Sequence, residues 1–168
     1  MTKSNKSAKG MSLIEILVVI TIFAVLGIIV TSSVVLTLQG TRKSESLIKV
    51  RENLNYSLAV IERNIRNANS IPECPEATTT AINYLDQYGQ LSSFSCANTG
   101  LEDSYIASGS SRLTSNAIKL VSCSFVCTPS DSSTPPLVTI ELTVEDASAT
   151  GTQNAQVTAS TQIYLRNY

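Results

Sequence analysis

The sequence predicts an α+β chain in which one long N-terminal helix packs its second half on an antiparallel β-sheet. Three observations carry that expectation. An uncharged apolar run opens at Ile16 and closes at Leu38, and an apolar stripe at helical spacing continues from Leu47 to Ala68. Beyond Pro72 the composition turns Ser/Thr-rich, with period-two alternation near the end of the chain. At 168 residues there is room for one membrane segment and one small extramembrane domain.

The apolar run contains Thr21, Thr31, Ser32, Ser33 and Thr37 as its only polar side chains. As a helix its residues would span about 34 Å, enough to cross a bilayer core of about 30 Å. Ahead of it, residues 1–10 carry Lys3, Lys6 and Lys9 and no acid, which reads as a basic cytoplasmic leader. The run is too long for the apolar region of a secretory signal, and the small residue Gly10 precedes it instead of following it. The positive-inside rule places the remainder of the chain outside the cytoplasm, although Arg42 and Lys43 on the far flank reduce the asymmetry. Glu15 lies just inside the apolar segment. A charge there costs roughly 2.5–3.5 kcal/mol at the helix centre and less near the end. Glu15 is therefore either solvated at the headgroups and favoured by the helix dipole, or functional.

The helical pattern does not stop at Leu38. Leu47, Val50, Leu54, Leu58, Ile61, Ile65 and Ala68 recur at steps of three and four, marking one face of an amphipathic helix that leans on a domain. Glu45/Lys49 and Glu62/Arg66 stand at i,i+4, each pair worth a few tenths of a kcal/mol. Asn67, Asn69 and then Pro72 end the helix. Gly27 and Gly40 each weaken it by about 1 kcal/mol relative to Ala. The expected organisation is a leader at 1–10, a hydrophobic helix at 11–40, an amphipathic helix at 41–70 and a β-rich domain at 71–168.

Within that domain, residues 81–85 and 90–94 flank Asp86-Gln87-Tyr88-Gly89, a hairpin pattern. Residues 117–121 form a short strand candidate. Val138, Ile140, Leu142 and Val144 alternate with Thr139, Glu141 and Thr143, and a second alternation runs from Gln156 to Arg166. Residues 108–111, 128–136 and 147–154 read as loops. An antiparallel sheet of about four to six strands on the helix stripe follows.

Charge and cysteine content narrow the function. From Pro72 to Tyr168 there are nine acidic and three basic residues, a net of −6 that repels phosphate backbones and argues against nucleic-acid partners. Cys74, Cys96, Cys123 and Cys127 all fall in this domain, an even count that fits disulfides in an oxidising, extracytoplasmic setting. With no His, a zinc site would need all four thiols, and Ser-His and Cys-His catalysis are removed. No Gly-rich phosphate loop occurs. The expectation is a non-enzyme without metal or cofactor. The preferred disulfide pairing is Cys74–Cys96 with Cys123–Cys127, the latter requiring a turn at Ser124-Phe125-Val126 because bridged Cα atoms lie within about 7 Å. The alternative joins Cys74 to one of Cys123/Cys127 and Cys96 to the other. Glu102/Asp103 and Glu145/Asp146 read as solvated loop charge, with Ca2+ ligation as the sharper alternative.

The stretch Lys9-Gly10-Met11-Ser12-Leu13-Ile14-Glu15-Ile16-Leu17-Val18-Val19-Ile20 closely resembles the N-terminus of type IV prepilins and type II secretion pseudopilins. The resemblance implies cleavage by a prepilin peptidase between Gly10 and Met11, N-methylation of Met11, and an assembly role for Glu15 at the fifth mature position. It implies the type IV pilin fold and the partners that go with it: other pilin or pseudopilin subunits, an inner-membrane assembly platform, and lipid before assembly. The stretch from Leu54 to Ile71, Arg112-Leu113-Thr114-Ser115 and the ending Ile163-Tyr164-Leu165-Arg166-Asn167 resemble W-type minor pilins and J-type pseudopilins. Met11 in place of the usual Phe, and no Pro in the first helical half, lean towards a minor subunit. The expectation is a minor pilin anchored by a single pass and then carried in a surface or periplasmic filament. The alternatives are a minor pseudopilin of a secretion system, a major pilin, or, from a different class, a membrane-anchored extracytoplasmic binding protein.

Overall fold

A computed structural model describes residues 12–131, 134–149, 151 and 154–166. Helix α1 (Leu13–Arg66) precedes seven strands: β1 (Ala81–Leu85), β2 (Leu91–Ala97), β3 (Tyr105–Ser108), β4 (Ser111–Arg112), β5 (Ile118–Thr128), β6 (Leu137–Asp146) and β7 (Gln156–Tyr164). The chain divides into two compact units, Met1–Thr41 and Arg42–Tyr168. In the second unit the helical stripe is the floor of the core. Val50, Leu54, Ile61, Ile65 and Ala68 are buried with Ser46 and Ser57, while Leu47 and Leu58 are half-buried. The steps of three and four read from the sequence are the steps that face the strands.

The strands do not form the single sheet the sequence suggests. They make a four-stranded sheet in the order β1-β2-β3-β4 and a three-stranded sheet β5-β6-β7, with every pairing antiparallel. The split arises because loop residues, not another strand, meet the outer side of β5. Thr79 and Phe125 exchange two backbone hydrogen bonds of 2.9 and 2.8 Å. Cys127 N donates to Pro75 O at 2.9 Å, and Gly100 N donates to Leu120 O at 2.8 Å. Pro75 has no N–H and can only accept, so the ladder ends there. Ile82, Tyr84, Phe94 and Ile106 from one sheet join Leu120, Phe125, Ile140 and Leu142 from the other in one core with the helix stripe.

The β1–β2 hairpin follows its sequence. Asp86 Oδ1 accepts hydrogen bonds from the backbone N–H groups of Tyr88 (2.8 Å) and Gln90 (2.9 Å), replacing ladder bonds at the turn. Gly89 takes φ +77°, which a Cβ would disfavour. Tyr84 and Phe94 stack with ring centroids 5.4 Å apart. The long β6 and β7 lie where the alternation places them, in register from Leu137↔Tyr164 to Glu145↔Gln156.

β5 is where the sequence misleads. The residues read as a strand ending at Val121 continue to Thr128, because a register shift between Leu120 and Ser122 inserts an extra residue. Ile118 and Leu120 face the core before the bulge, and Cys123, Phe125 and Cys127 face it afterwards. The expected turn at Ser124-Phe125-Val126 is absent, and Cys123 and Cys127 stand on one extended strand, about 13 Å apart by strand rise. The preferred pairing is therefore overturned. The disulfides are Cys74–Cys127 and Cys96–Cys123, with Cα separations of 5.0 and 6.4 Å. Both fasten β5, one to the segment after the helix and one to β2 of the other sheet.

Of the two acidic pairs read as solvated loop charge, Glu102/Asp103 lie in an exposed turn as expected, while Glu145/Asp146 end β6 and are corrected. Asp146, the last residue of β6, is buried, and Lys49 Nζ reaches its Oδ2 at 3.2 Å. Lys49 thus bonds across the fold instead of pairing with Glu45, whereas Glu62 does pair with Arg66. Glu145 and Glu102 both hold Lys119, each with an N–O distance of 3.1 Å, and Asp103 Oδ2 accepts from Asn98 Nδ2 at 2.8 Å. Burial pushes the Asp146 carboxyl up, but hydrogen bonds from Ser148 N (2.8 Å), Ser148 Oγ (2.7 Å) and Lys49 outweigh it. The Ser46 hydroxyl faces the same carboxylate without closing a full hydrogen bond. The net result holds Asp146 well below the ordinary carboxylate range.

Two predictions follow from these fastenings. Non-reducing digestion of the full-length chain yields peptides joined through Cys74–Cys127 and Cys96–Cys123, and replacing Cys96 and Cys123 together by Ser lowers unfolding stability by roughly 3–4 kcal/mol. A group whose folded pKa is depressed contributes stability above its unfolded pKa and loses it as pH falls through the folded value. Asp146→Asn should cost about 2–3 kcal/mol at neutral pH. Thermal unfolding from pH 7 downward should show the gap to the parent chain narrowing below about pH 4.

Candidate functional site

The residues from Lys9 to Ile20 that carry the prepilin resemblance lie in the first unit. Gly10 and Met11, expected as the cleavage and methylation positions, fall outside the described residues. Ser12 precedes the first helical residue, and its carbonyl accepts hydrogen bonds from Glu15 N (3.0 Å) and Ile16 N (3.3 Å). Glu15 is the acidic residue of the first turn and its side chain is exposed. A carboxylate in that turn is favoured by the unsatisfied N–H groups and the positive end of the helix dipole.

From Leu13 to Leu38 every large apolar side chain is exposed, from 43% at Val19 to 81% at Leu13. The helix is long and apolar enough to cross a membrane, and its most apolar stretch is exposed throughout. Four of the five hydroxyl side chains between Leu13 and Leu38 are satisfied within the helix. Thr21 Oγ1 donates to Val18 O (2.8 Å), Thr31 Oγ1 to Gly27 O (2.8 Å), Ser32 Oγ to Ile28 O (2.9 Å) and Thr37 Oγ1 to Ser33 O (2.9 Å). Each hydroxyl takes a carbonyl three or four residues earlier, so these donors need no partner from outside. Nothing lies within 4 Å of where a Cβ would sit on Gly27 or Gly40, so neither glycine is required by local crowding. Between Ser12 and Thr41, Glu15 is the one ionisable side chain. What this arrangement offers chemically is a lipid-compatible rod with a single charge near its start.

A model for the prokaryotic N-terminal methylation motif matches residues 5–31. The chain carries a prepilin-type signal segment. The match runs from the leader through the middle of the apolar run and stops short of the head, Arg42–Tyr168. No curated protein and no solved structure matches the chain. The α+β architecture, one long apolar-headed helix with antiparallel sheets, is consistent with the type IV pilin fold.

Sequence reasoning named Glu15 and the apolar run but missed the internal hydrogen bonds of the hydroxyls. The signal was available: each of Thr21, Thr31, Ser32 and Thr37 has a helical carbonyl one turn behind it. It also missed Lys49–Asp146, whose partners are 97 residues apart and share no local pattern. Placing a charge at the middle of the rod tests the lipid reading directly. Leu26→Arg should raise the insertion free energy by about 3 kcal/mol, measured as the fraction of chains integrated in a membrane-insertion assay.

Proposed function

We propose that this chain is a minor pilin-like subunit, cleaved between Gly10 and Met11, methylated on the new Met11 amine, and assembled into or at the start of a type IV pilus-like filament. The observation that carries the reading is the single carboxylate of Glu15, exposed in the first helical turn of a rod otherwise without charge. Cleavage creates an ammonium at Met11. A carboxylate about 4 Å from an ammonium gains on the order of 4 kcal/mol at an effective dielectric near 20. Glu15 of an incoming subunit pairs with Met11 of a neighbour and aligns the two rods axially. Desolvation offsets much of the gain, so the pair contributes register more than stability.

Before assembly the run from Ile16 to Leu38 sits in the inner membrane, with the leader in the cytoplasm and the disulfide-linked head outside. After assembly it packs among the corresponding helices of other subunits, brought together by the inner-membrane platform. The head is presented by the filament and has no reaction of its own. Met11 and the absence of Pro from the first helical half favour a minor subunit over a major one.

Mass spectrometry of the mature chain should find an N-methylated Met11 as its first residue; an intact leader on the chain taken from assembled filaments overturns the reading. Glu15→Val should be cleaved normally and enter filaments at less than about a tenth of the parent level, the fold-change that corresponds to 1.4 kcal/mol.

A further inference from the structure

Where α1 ends it lies beside the β1–β2 turn, and a groove of about 300 Å³ opens between them. Arg63 and Asn64, from the last turn of the helix, and Asn67 just beyond it form one wall; Asp86, Gln87 and Tyr88 form the other. Both walls are held in place. Leu85 N donates to Ser70 O, and Leu85 O accepts from Asn69 N, both at 2.8 Å, tying the turn to the chain leaving the helix. Asp86 Oδ1 closes the turn on itself, and Asp86 N donates to Gln90 O at 2.9 Å. Asn64 Nδ2 donates to Val60 O at 2.9 Å, which fixes that amide and leaves its oxygen available. Arg63 stands about 21 Å along the helix from Lys49, so the groove and the Lys49–Asp146 pair occupy opposite ends of the head.

The lining is ordered but unused. Among the described residues, the side chains of Arg63, Asn67, Gln87 and Tyr88 have no hydrogen-bond or ion-pair partner. Tyr88 is 79% exposed, more than any other aromatic or large aliphatic side chain described in the head. An aromatic ring left in water at a tight turn contributes little to folding, because it buries little apolar surface. The six side chains together specify a ligand chemistry. The Arg63 guanidinium only donates, the Asp86 carboxylate only accepts, and the three amides do both. A ligand rich in hydroxyls meets all of them, since each hydroxyl donates and accepts. The Tyr88 ring adds a face of negative quadrupole, which attracts a flat set of weakly positive C–H groups. A sugar ring carries both features. Other ligand classes fit less well. A bare anion is repelled by Asp86, and a divalent cation is repelled by Arg63 and finds one carboxylate where Ca2+ takes about six to eight oxygens. An apolar ligand finds no aliphatic side chain in the lining. The volume lies at the small end of ligand pockets, about 300–1,000 Å³, which suits a compact ring.

We propose that this groove binds a neutral saccharide, its ring stacked on Tyr88 and its hydroxyls shared among Arg63, Asn64, Asn67 and the Asp86 carboxylate. The site goes beyond the filament reading and does not depend on it, because every lining residue belongs to the head.

The test uses the full-length chain, in a detergent without a sugar headgroup, on an array of immobilised neutral and sulfated mono- and disaccharides. The chain should bind at least one neutral sugar and be displaced by the same sugar free in solution. Tyr88→Ala and Arg63→Ala, both at exposed positions, should each weaken that binding about tenfold. Gln162→Ala, exposed on β7, should leave it unchanged. Tyr88→Trp keeps a ring face at the same place and should bind at least as tightly as the parent. Four results overturn the proposal: binding to no sugar, binding to sulfated sugars alone, parental affinity in both Tyr88→Ala and Arg63→Ala, or Tyr88→Trp binding as weakly as Tyr88→Ala.

Discussion

The head depends on one interaction above the rest, the burial of the helix stripe Val50, Leu54, Ile61, Ile65 and Ala68 beneath both sheets. Each sheet has one apolar face that must be covered by another element. The stripe gives both a common floor. The disulfides and the Lys49–Asp146 pair act around that floor and not in place of it. Cys96–Cys123 ties one sheet to the other, Cys74–Cys127 ties the chain leaving the helix to β5, and Lys49 ties the helix to the end of β6. The two disulfides close long stretches of chain, so they remove more freedom from the unfolded ensemble than a short-range cross-link would.

How much was legible in the sequence follows from which patterns are local. β6 and β7 were visible because their alternation is uninterrupted, and the β1–β2 hairpin because Asp86 and Gly89 carry the turn chemistry. β5 was cut short because its bulge after Leu120 shifts the core-facing set from even to odd residue numbers, which breaks the alternation a reader follows. That one irregularity also reversed the disulfide pairing, since a strand read as ending at Val121 left room for a turn between Cys123 and Cys127. β3 and β4 were missed because four- and two-residue strands show no period. Asp146 was misread because its neighbours in sequence are acidic and Ser-rich, while its neighbours in space are Lys49 and Ser148. Of the N-terminal site, Glu15 and the apolar run were legible directly from composition, and the internal satisfaction of four hydroxyls was open to the same reading, since each has a helical carbonyl one turn behind it.

In the proposed assembly the apolar run meets a requirement that few helices face: compatibility with two surroundings in succession. In lipid, an unpaired hydroxyl would cost free energy, and between packed helices it would seek whichever neighbour is in reach. Thr21, Thr31, Ser32 and Thr37 avoid both by donating to their own helix. Moving such a rod from lipid into a bundle of like rods therefore breaks no side-chain hydrogen bond at those four positions. The cost of transfer is kept low on both sides, which suits a subunit that must leave the membrane to assemble.

The same economy creates a difficulty that the single carboxylate resolves. Large apolar side chains surround the rod on every side, from Leu13 to Leu38, so no face or level is marked out by hydrophobicity. Apolar contact is non-directional, and two such rods gain nearly as much at one axial offset as at the next. A charge is different, because its interaction energy falls with distance and is largest where the surroundings are least polar. In the proposed assembly Glu15 is thus the only group between Ser12 and Thr41 able to distinguish one offset from its neighbours. Its place in the first turn keeps it near water and the favourable helix terminus while the rod is in lipid, so the demand for a cation becomes acute only as the subunit leaves the bilayer.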